Sequence, residues 1–353
     1  MKRFLQAVLG LFISAAALWI TLRGKDLGAI WHAIRSADYF WLIPYLVILT
    51  LIHLARTYRW GILLEPVAKV PFGKLNAASA VGFMALVLLP FRLGEFARPY
   101  LIAERPRLRV SAALSSVVVE RVADGLFTAG LLVVTLLAVP EGTPGLHFLK
   151  AGGVAVFLAF TAILAFLIFA NKNRERAVRF THRLIDPLSE RLAERASGMM
   201  DAFIHGLRLV PSWRKIALFF LLTAAYWTLN GVGMQVLAIG FDIHLSSIAA
   251  FTVLGVLVVG VMIPAGPGMV GTFQAATILG LALFLPKEVV DTRGAAYANV
   301  LWATQLAQQT ALGLFFLFSR HIRIANIVEA PEEVGDELEE EEAQYAKDPA
   351  AKA

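Results

Sequence analysis

Leu89-Pro90-Phe91-Arg92-Leu93-Gly94-Glu95 and Ile263-Pro264-Ala265-Gly266-Pro267-Gly268 interrupt two apolar runs, one in each half of the chain. Residues 77–89 and 248–263 precede them, apolar and small but too short or too marginal for an ordinary membrane span. Proline removes a backbone donor and glycine tolerates unusual dihedrals, so a helix is expected to stop and restart at each site. Inside a bilayer, broken backbone is tolerable only where protein or a watery cavity surrounds it. Matching interruptions in two halves point to a transporter-type binding site.

Composition sets the medium. The chain is 58% hydrophobic and 16% charged, with a mean hydropathy of +0.69. Soluble domains carry roughly 45–50% apolar and about 25% charged residues. This is therefore an integral membrane protein of several spans. The absence of cysteine removes disulfides, thiolate metal sites and a cysteine nucleophile. From Glu329 onward ten acidic residues face two lysines, so a segment of charge −8 follows a body of charge +14. A basic body suits anionic lipid, and the acidic end reads as a disordered, solvated tail. Met1-Lys2-Arg3 and the apolar stretch 4–22 have the outline of a signal peptide. That stretch is long enough to span, and a retained first helix is expected.

Full-length spans are expected at 4–22, 41–60, 112–139, 148–170, 216–239 and 295–318. Segment 171–215 holds ten Lys or Arg and 98–109 holds four, while 140–147 and 240–247 hold none. The positive-inside rule places the first pair in the cytoplasm and the second outside. Both termini are then cytoplasmic; only 23–40, with three basic residues on the outside, fits the rule poorly. The assignment closes if the two broken segments do not cross. Residues 75–103 would enter and leave from the cytoplasmic face, and 247–285 from the external face. The expected fold is an all-α polytopic membrane protein of about six spans plus two re-entrant helical hairpins, in an inverted-topology repeat. Two complete spans at 247–263 and 270–285 also conserve the sidedness of the loops. The membrane domain covers 1–328, with halves at about 41–139 and 216–318 and an amphipathic helical loop at 171–215; the acidic tail covers 329–353. That loop either lies on the membrane surface or packs under its own bundle.

Chemistry concentrates around the first break. Arg92, Glu95 and Arg98 follow Pro90, and Glu95 and Arg98, three apart, share a helix face. Glu120, Arg121 and Asp124 then fall inside an apolar helix, where charges are costly and face a cavity or a partner. Substrate or proton handling and a purely structural ion-pair cluster are the two readings. The second break offers Pro264, Gly266, Gly268, Gly271 and Gln274; its glycines would let backbone amides approach a ligand, and a helix starting near Gly268 would aim its positive end at a phosphate, with a tight helix crossing as the alternative. Asn230 and Gln305 are weaker nominations. Nothing in the first span marks a site, so Gly10→Leu is expected to be tolerated. The seven histidines lack metal-ligand spacing and no phosphate-binding glycine loop ends in lysine, so no metal or other cofactor is expected.

Three motifs carry a resemblance. Residues 90–101, Pro-Phe-Arg-Leu-Gly-Glu-Phe-Ala-Arg-Pro-Tyr-Leu, are similar to a P-x-R-x-G-E-x-x-R-x-Y-L segment. Ser111-Ala112-Ala113-Leu114 leading to Val119-Glu120-Arg121-Val122-Ala123-Asp124 resembles the S-x-A-L…V-E-R-x-x-D segment that follows it. Residues 264–271 resemble a P-x-x-P-G-G-x-G turn. The family is the lysylphosphatidylglycerol synthase transmembrane-region, or flippase-like domain, family. The resemblance covers about 1–323 and implies a bacterial or archaeal cytoplasmic-membrane protein with a lipid or lipid-linked substrate. Met269 replaces the usual second glycine and Gln274 a common acidic residue, which puts proton or ion coupling through that acid in doubt. Larger relatives carry a soluble aminoacyl-transfer domain; a short acidic tail follows Arg323 here, so lysyl transfer is not expected. The partner is then a membrane lipid, an anionic phospholipid or a polyprenyl-phosphate-linked sugar, and not nucleic acid; a homo-oligomer is compatible. Arg92, Arg98 and Arg121 would contact phosphate, with Glu95, Glu120 and Asp124 holding them. A lipid-binding scaffold and a membrane-embedded transferase are the other two readings.

Overall fold

A computed structural model describes residues 2–89, 94–103, 108–187, 212–263 and 266–319, with 333–338 and a few single positions beyond them, the side chains of 2–9 and 11 excepted. Pro90, Arg92 and Pro264 fall outside the described residues.

The described residues fold as helices: α1 (Lys2–Leu22), α2 (Leu27–Arg35), α3 (Leu42–Leu64), α4 (Phe72–Leu88), α5 (Ala97–Ile102), α6 (Val110–Leu136), α7 (Leu146–Lys172), α8 (Arg174–Ile185), α9 (Trp213–Ile239), α10 (Ser247–Gly260), α11 (Thr272–Leu281) and α12 (Ala295–Ser319). Three stretches, Tyr39–Leu64, Leu146–Lys172 and Trp213–Ile239, are long and apolar enough to cross a bilayer. With 27 and 25 residues, α6 and α12 have the length too, but carry ionisable or amide side chains in their middles. The caps are those the sequence offers. Asp26 accepts hydrogen bonds from the amides of Gly28 and Ala29 to start α2, and Ser246 accepts that of Ala249 to start α10.

Each break joins two short helices that double back on one another. Gly82 of α4 lies against the Arg98 stem of α5, and Gly94 abuts the backbone of Ala85 and Leu86. In the second half, Gly260 of α10 meets Ala276 of α11, and Gly280 meets Val253. Contacts between the halves are reciprocal. On one side α4 packs along α12, where Gly313 touches Met84; on the other α10 packs along α6, where Gly255 touches Leu132. The leading helices, α3 and α9, pair directly. Tyr45 lies beside Gly233, whereas Arg59 lies beside Thr223, so the two run antiparallel. Tyr45 also accepts a hydrogen bond from Gln305 at 2.9 Å, while His53 faces Phe83 and Gly61 faces Leu75. The far end of α4 therefore points towards the level of Gln305 and Trp302, and the second turn packs against α4 there.

Aromatic side chains fill the core between the halves. Tyr45, Trp227, Phe241 and Tyr297 cluster with Leu257 and Leu301, and the buried Tyr297 hydroxyl donates to the Met234 carbonyl at 3.0 Å. At the α2 end, Lys25 pairs with Asp291 at 3.3 Å.

The acidic tail needs correction. Residues 333–338 are helical, and Ile327, Ala330, Val334 and Leu338 are buried. Val334 and Leu338 pack on Val110, Phe96 and Tyr100, and Ile327 on Val81 and Ala97. An apolar stripe at helical spacing outweighs the surrounding charge, because the acids can face water while the stripe packs. Apart from the exposed Glu340, the rest of that tail lies outside the described residues. Within 171–215, Ala177 of α8 packs on Ala170 and Ile204 while Phe180 and Leu184 stay exposed, so one face of α8 meets the protein and another does not.

Candidate functional site

Two arginines on α3, Arg56 and Arg59, stand three residues apart and so share a face. That face looks at α6, where Glu120 and Asp124 are one turn apart. Arg59 grips Asp124 with both terminal nitrogens, Nη1 to Oδ1 at 2.5 Å and Nη2 to Oδ2 at 2.8 Å. Its Nη2 also reaches Glu120 at 2.9 Å, and its Nη1 the Thr223 hydroxyl of α9 at 3.1 Å. Such a two-pronged fork fixes geometry as well as charge. The Trp227 indole donates to Asp124 at 3.2 Å. Arg98, on α5, lies 2.9 Å from the other oxygen of Glu120. Arg121 sits 3.3 Å from Glu120 and 3.4 Å from Asp124.

The centre of the cluster is closed to water, while Arg121 at its edge keeps 25% of its side chain exposed. The side chains of Arg59 and Glu120 have no exposed surface, and Arg98 is 2% exposed. Aromatic rings stand in for solvent. The Arg98 guanidinium lies 4.3 Å from the Trp60 ring centre and 4.6 Å from that of Phe83; Arg59 lies 5.0 Å from Tyr226. Ring faces are electron-rich and help hold a desolvated cation. Trp60 is itself anchored, its indole donating to Ser116 at 2.9 Å. Glu95, half-buried, lines a small cavity together with Arg98, Arg121, Gly82, Phe83 and Val117.

Of the residues expected from sequence, Arg98, Glu120, Arg121 and Asp124 converge, and Glu95 borders them. Arg92 and Pro264 lie outside the described residues. Around the second break the expectation of free amides aimed at phosphate is not met at two glycines. The Gly266 amide donates to the Ser14 hydroxyl of α1 at 3.0 Å, and the Gly271 amide to the Gln274 side chain at 2.8 Å. Gly268, at φ +71°, turns its carbonyl to the Trp302 indole at 2.7 Å. The glycines serve close packing: an added Cβ on Gly266 would stand 3.0 Å from the Ser14 hydroxyl and 3.1 Å from the Gly10 carbonyl. Asn230 bonds the Tyr226 carbonyl of its own helix, while Gln305 crosses to Tyr45. Sequence reading passed over Arg56 and Arg59 inside the apolar stretch 41–60. Their signal, ionisable residues sharing a face of an apolar helix, is the same one that singled out Glu120 and Asp124.

Comparison with known proteins agrees with this architecture. The chain is 24% identical over 358 residues to the glycosyltransferase AglD of Haloferax volcanii, an alignment that takes in 93% of this chain and 57% of AglD. This chain thus spans little more than half the length of that relative. It is 23% identical over 281 residues to a UPF0104 membrane protein of Methanothermobacter thermautotrophicus, covering 76% of this chain and 82% of the relative. The profile of the lysylphosphatidylglycerol synthase transmembrane region matches residues 7–321, from within α1 to just beyond α12 and so across both breaks and the charged cluster; the chain belongs to that family.

Proposed function

We propose that this protein moves an anionic lipid, a phospholipid or a lipid-linked saccharide, between the leaflets of a bacterial or archaeal cytoplasmic membrane, as a carrier rather than an enzyme. The observation that carries the reading is the arginine-rich cluster, buried at its centre, between α3, α5, α6 and α9. Ionisable residues among apolar membrane helices are a functional-site hypothesis by default, because their burial is costly. The reciprocal packing of the halves and the antiparallel course of α3 and α9 support an inverted-topology repeat with two re-entrant hairpins. Such a repeat can rock around a fixed central site. Both termini are assigned to the cytoplasm on the basic residues of 171–215. AglD, named a glycosyltransferase, favours a lipid-linked sugar as one form of the substrate.

The test is reconstitution. Purified protein in sealed vesicles should carry fluorescent phosphatidylglycerol or a polyprenyl-phosphate sugar from the inner to the outer leaflet, read by loss of the label to an impermeant quencher. Unchanged rates against protein-free vesicles would leave a lipid-binding scaffold. A chemically altered lipid product would make the chain a transferase.

A further inference from the structure

We propose that Arg56 is the residue that receives the phosphodiester of the lipid, an assignment that rests on the carrier reading above. Arg59, Arg98 and Arg121 each lie within 3.4 Å of Glu120 or Asp124. Arg56 belongs to the same cluster but forms no ion pair among the described residues. Its guanidinium stacks on the Phe83 ring, 3.4 Å from the ring centre, and stands 5.7 Å from that of Tyr226. Its Nε, like those of Arg59, Arg98 and Arg121, is buried without a hydrogen-bond partner; what sets Arg56 apart is that it is only half-buried and pairs with no carboxylate among the described residues. A ring stacked on the flat face of a guanidinium leaves the N–H groups of its edge pointing outward. That edge matches two oxygens of a phosphodiester, and arginine does this better than lysine because its fork is planar.

Charge balance makes the same demand. Among the described residues of the cluster, the four arginines Arg56, Arg59, Arg98 and Arg121 outnumber the three carboxylates Glu95, Glu120 and Asp124 by one. An uncompensated charge away from water is costly, and one bound monoanion removes the imbalance. The place is apt as well. Phe83 lies on α4 of the first half and Tyr226 on α9 of the second, so Arg56 stands at the seam between the halves. An anion bound there touches both bodies that must move against each other. His53, one turn earlier, is engaged with Asn76 at 2.8 Å.

Binding measured on the full-length protein in neutral detergent, by the shift of melting temperature with added ligand, tests this. Dioleoylphosphatidylglycerol, dioleoylphosphatidylcholine and soluble glycerol 3-phosphate are the three probes. Wild type should be stabilised most by phosphatidylglycerol and not by glycerol 3-phosphate. Arg56→Gln should weaken phosphatidylglycerol binding by about tenfold or more, the scale of one charge-assisted hydrogen bond. Its unliganded melting temperature should hold or rise, since no carboxylate loses a partner. Should Arg56→Gln fail to fold, Arg56→Lys keeps the charge and should still lose several-fold in affinity. Wild-type affinity in a folded Arg56 variant would overturn the assignment while leaving the carrier reading intact. Wild type without preference for phosphatidylglycerol over phosphatidylcholine would remove both. Equal protection by glycerol 3-phosphate would overturn the assignment of the ligand as lipid.

Discussion

The two breaks lie between similar pairs of helices and lead into opposite surroundings. Each joins a pair of short helices folded back on themselves, and each pair packs along the last long helix of the other half. Yet the first leads into Arg98 and, through it, into a largely buried cluster of charges. The second leads into Gly266, Gly268 and Gly271, clamped by Ser14 of α1 and Trp302 of α12. Where α6 carries Glu120, Arg121 and Asp124, α12 carries the neutral amides Gln305, Gln308 and Gln309. The two halves thus share the doubling back of short helices without sharing its chemistry: one pair leads to charge and the other to close packing.

If that division is right, the largest loss of stability should come from unpairing the first site. Arg59→Leu leaves Asp124 without the fork that holds it, and Glu120 with one partner fewer. Breaking a buried pair by removing one member costs about 3–5 kcal/mol. Asp124→Leu should cost a similar amount, and also leaves the Trp227 indole without its acceptor. The double change should cost clearly less than the sum of the two, because both charges go together. Chemical denaturation of the four proteins in detergent measures this cycle. Additive losses would show that the pair is not coupled.

Much of this site was legible. Glu120, Arg121 and Asp124 stand out as charges in an apolar helix, and Arg98 follows a break that sequence alone locates. Arg56 and Arg59 were passed over because a stretch long enough to span invites a reading by hydropathy, in which two arginines are averaged into their neighbours. The partners of Arg59 lie 61 to 164 positions away in the chain, and no local pattern announces them. Charge counting misled at the other end. Ile327, Ala330, Val334 and Leu338 carry a helical stripe that ten nearby acids conceal. The part played by α1 was not legible at all, since a plain apolar helix does not tell which turn it covers.

At the second break the expected effects are smaller and purely steric. Gly271 has φ +84°, in the left-handed region, and an added Cβ would collide with the Ser14 carbonyl. Gly271→Ala should therefore destabilise by about 1–3 kcal/mol, the usual cost of such local strain. Gly10→Leu, expected from sequence to be silent, should cost about 1–3 kcal/mol by overpacking, because the Gly10 carbonyl lies against Gly266. Both should leave phosphatidylglycerol binding per folded molecule unchanged. A fall in melting temperature with intact binding is the expected pattern; lost binding in a folded Gly271→Ala protein would return the second break to the site.

The smallest effect should come at Met269, which sharpens the contrast by reversing its sign. Met269 follows Gly268 in the left-handed region, with φ +52°, and belongs to no residue type that favours it. A left-handed conformation costs a residue with a Cβ about 1–2 kcal/mol. Met269→Gly removes that cost but frees more of the unfolded chain and gives up the contacts of a half-buried side chain. The balance should be a gain of about 0.5–1 kcal/mol, seen as a slightly higher melting temperature with unchanged lipid movement. The glycine found there in the family pattern would then reflect backbone geometry alone. A loss of stability would mean that the Met269 side chain braces the turn against its neighbours, and that this chain has replaced conformational ease with packing where the pattern has its second glycine.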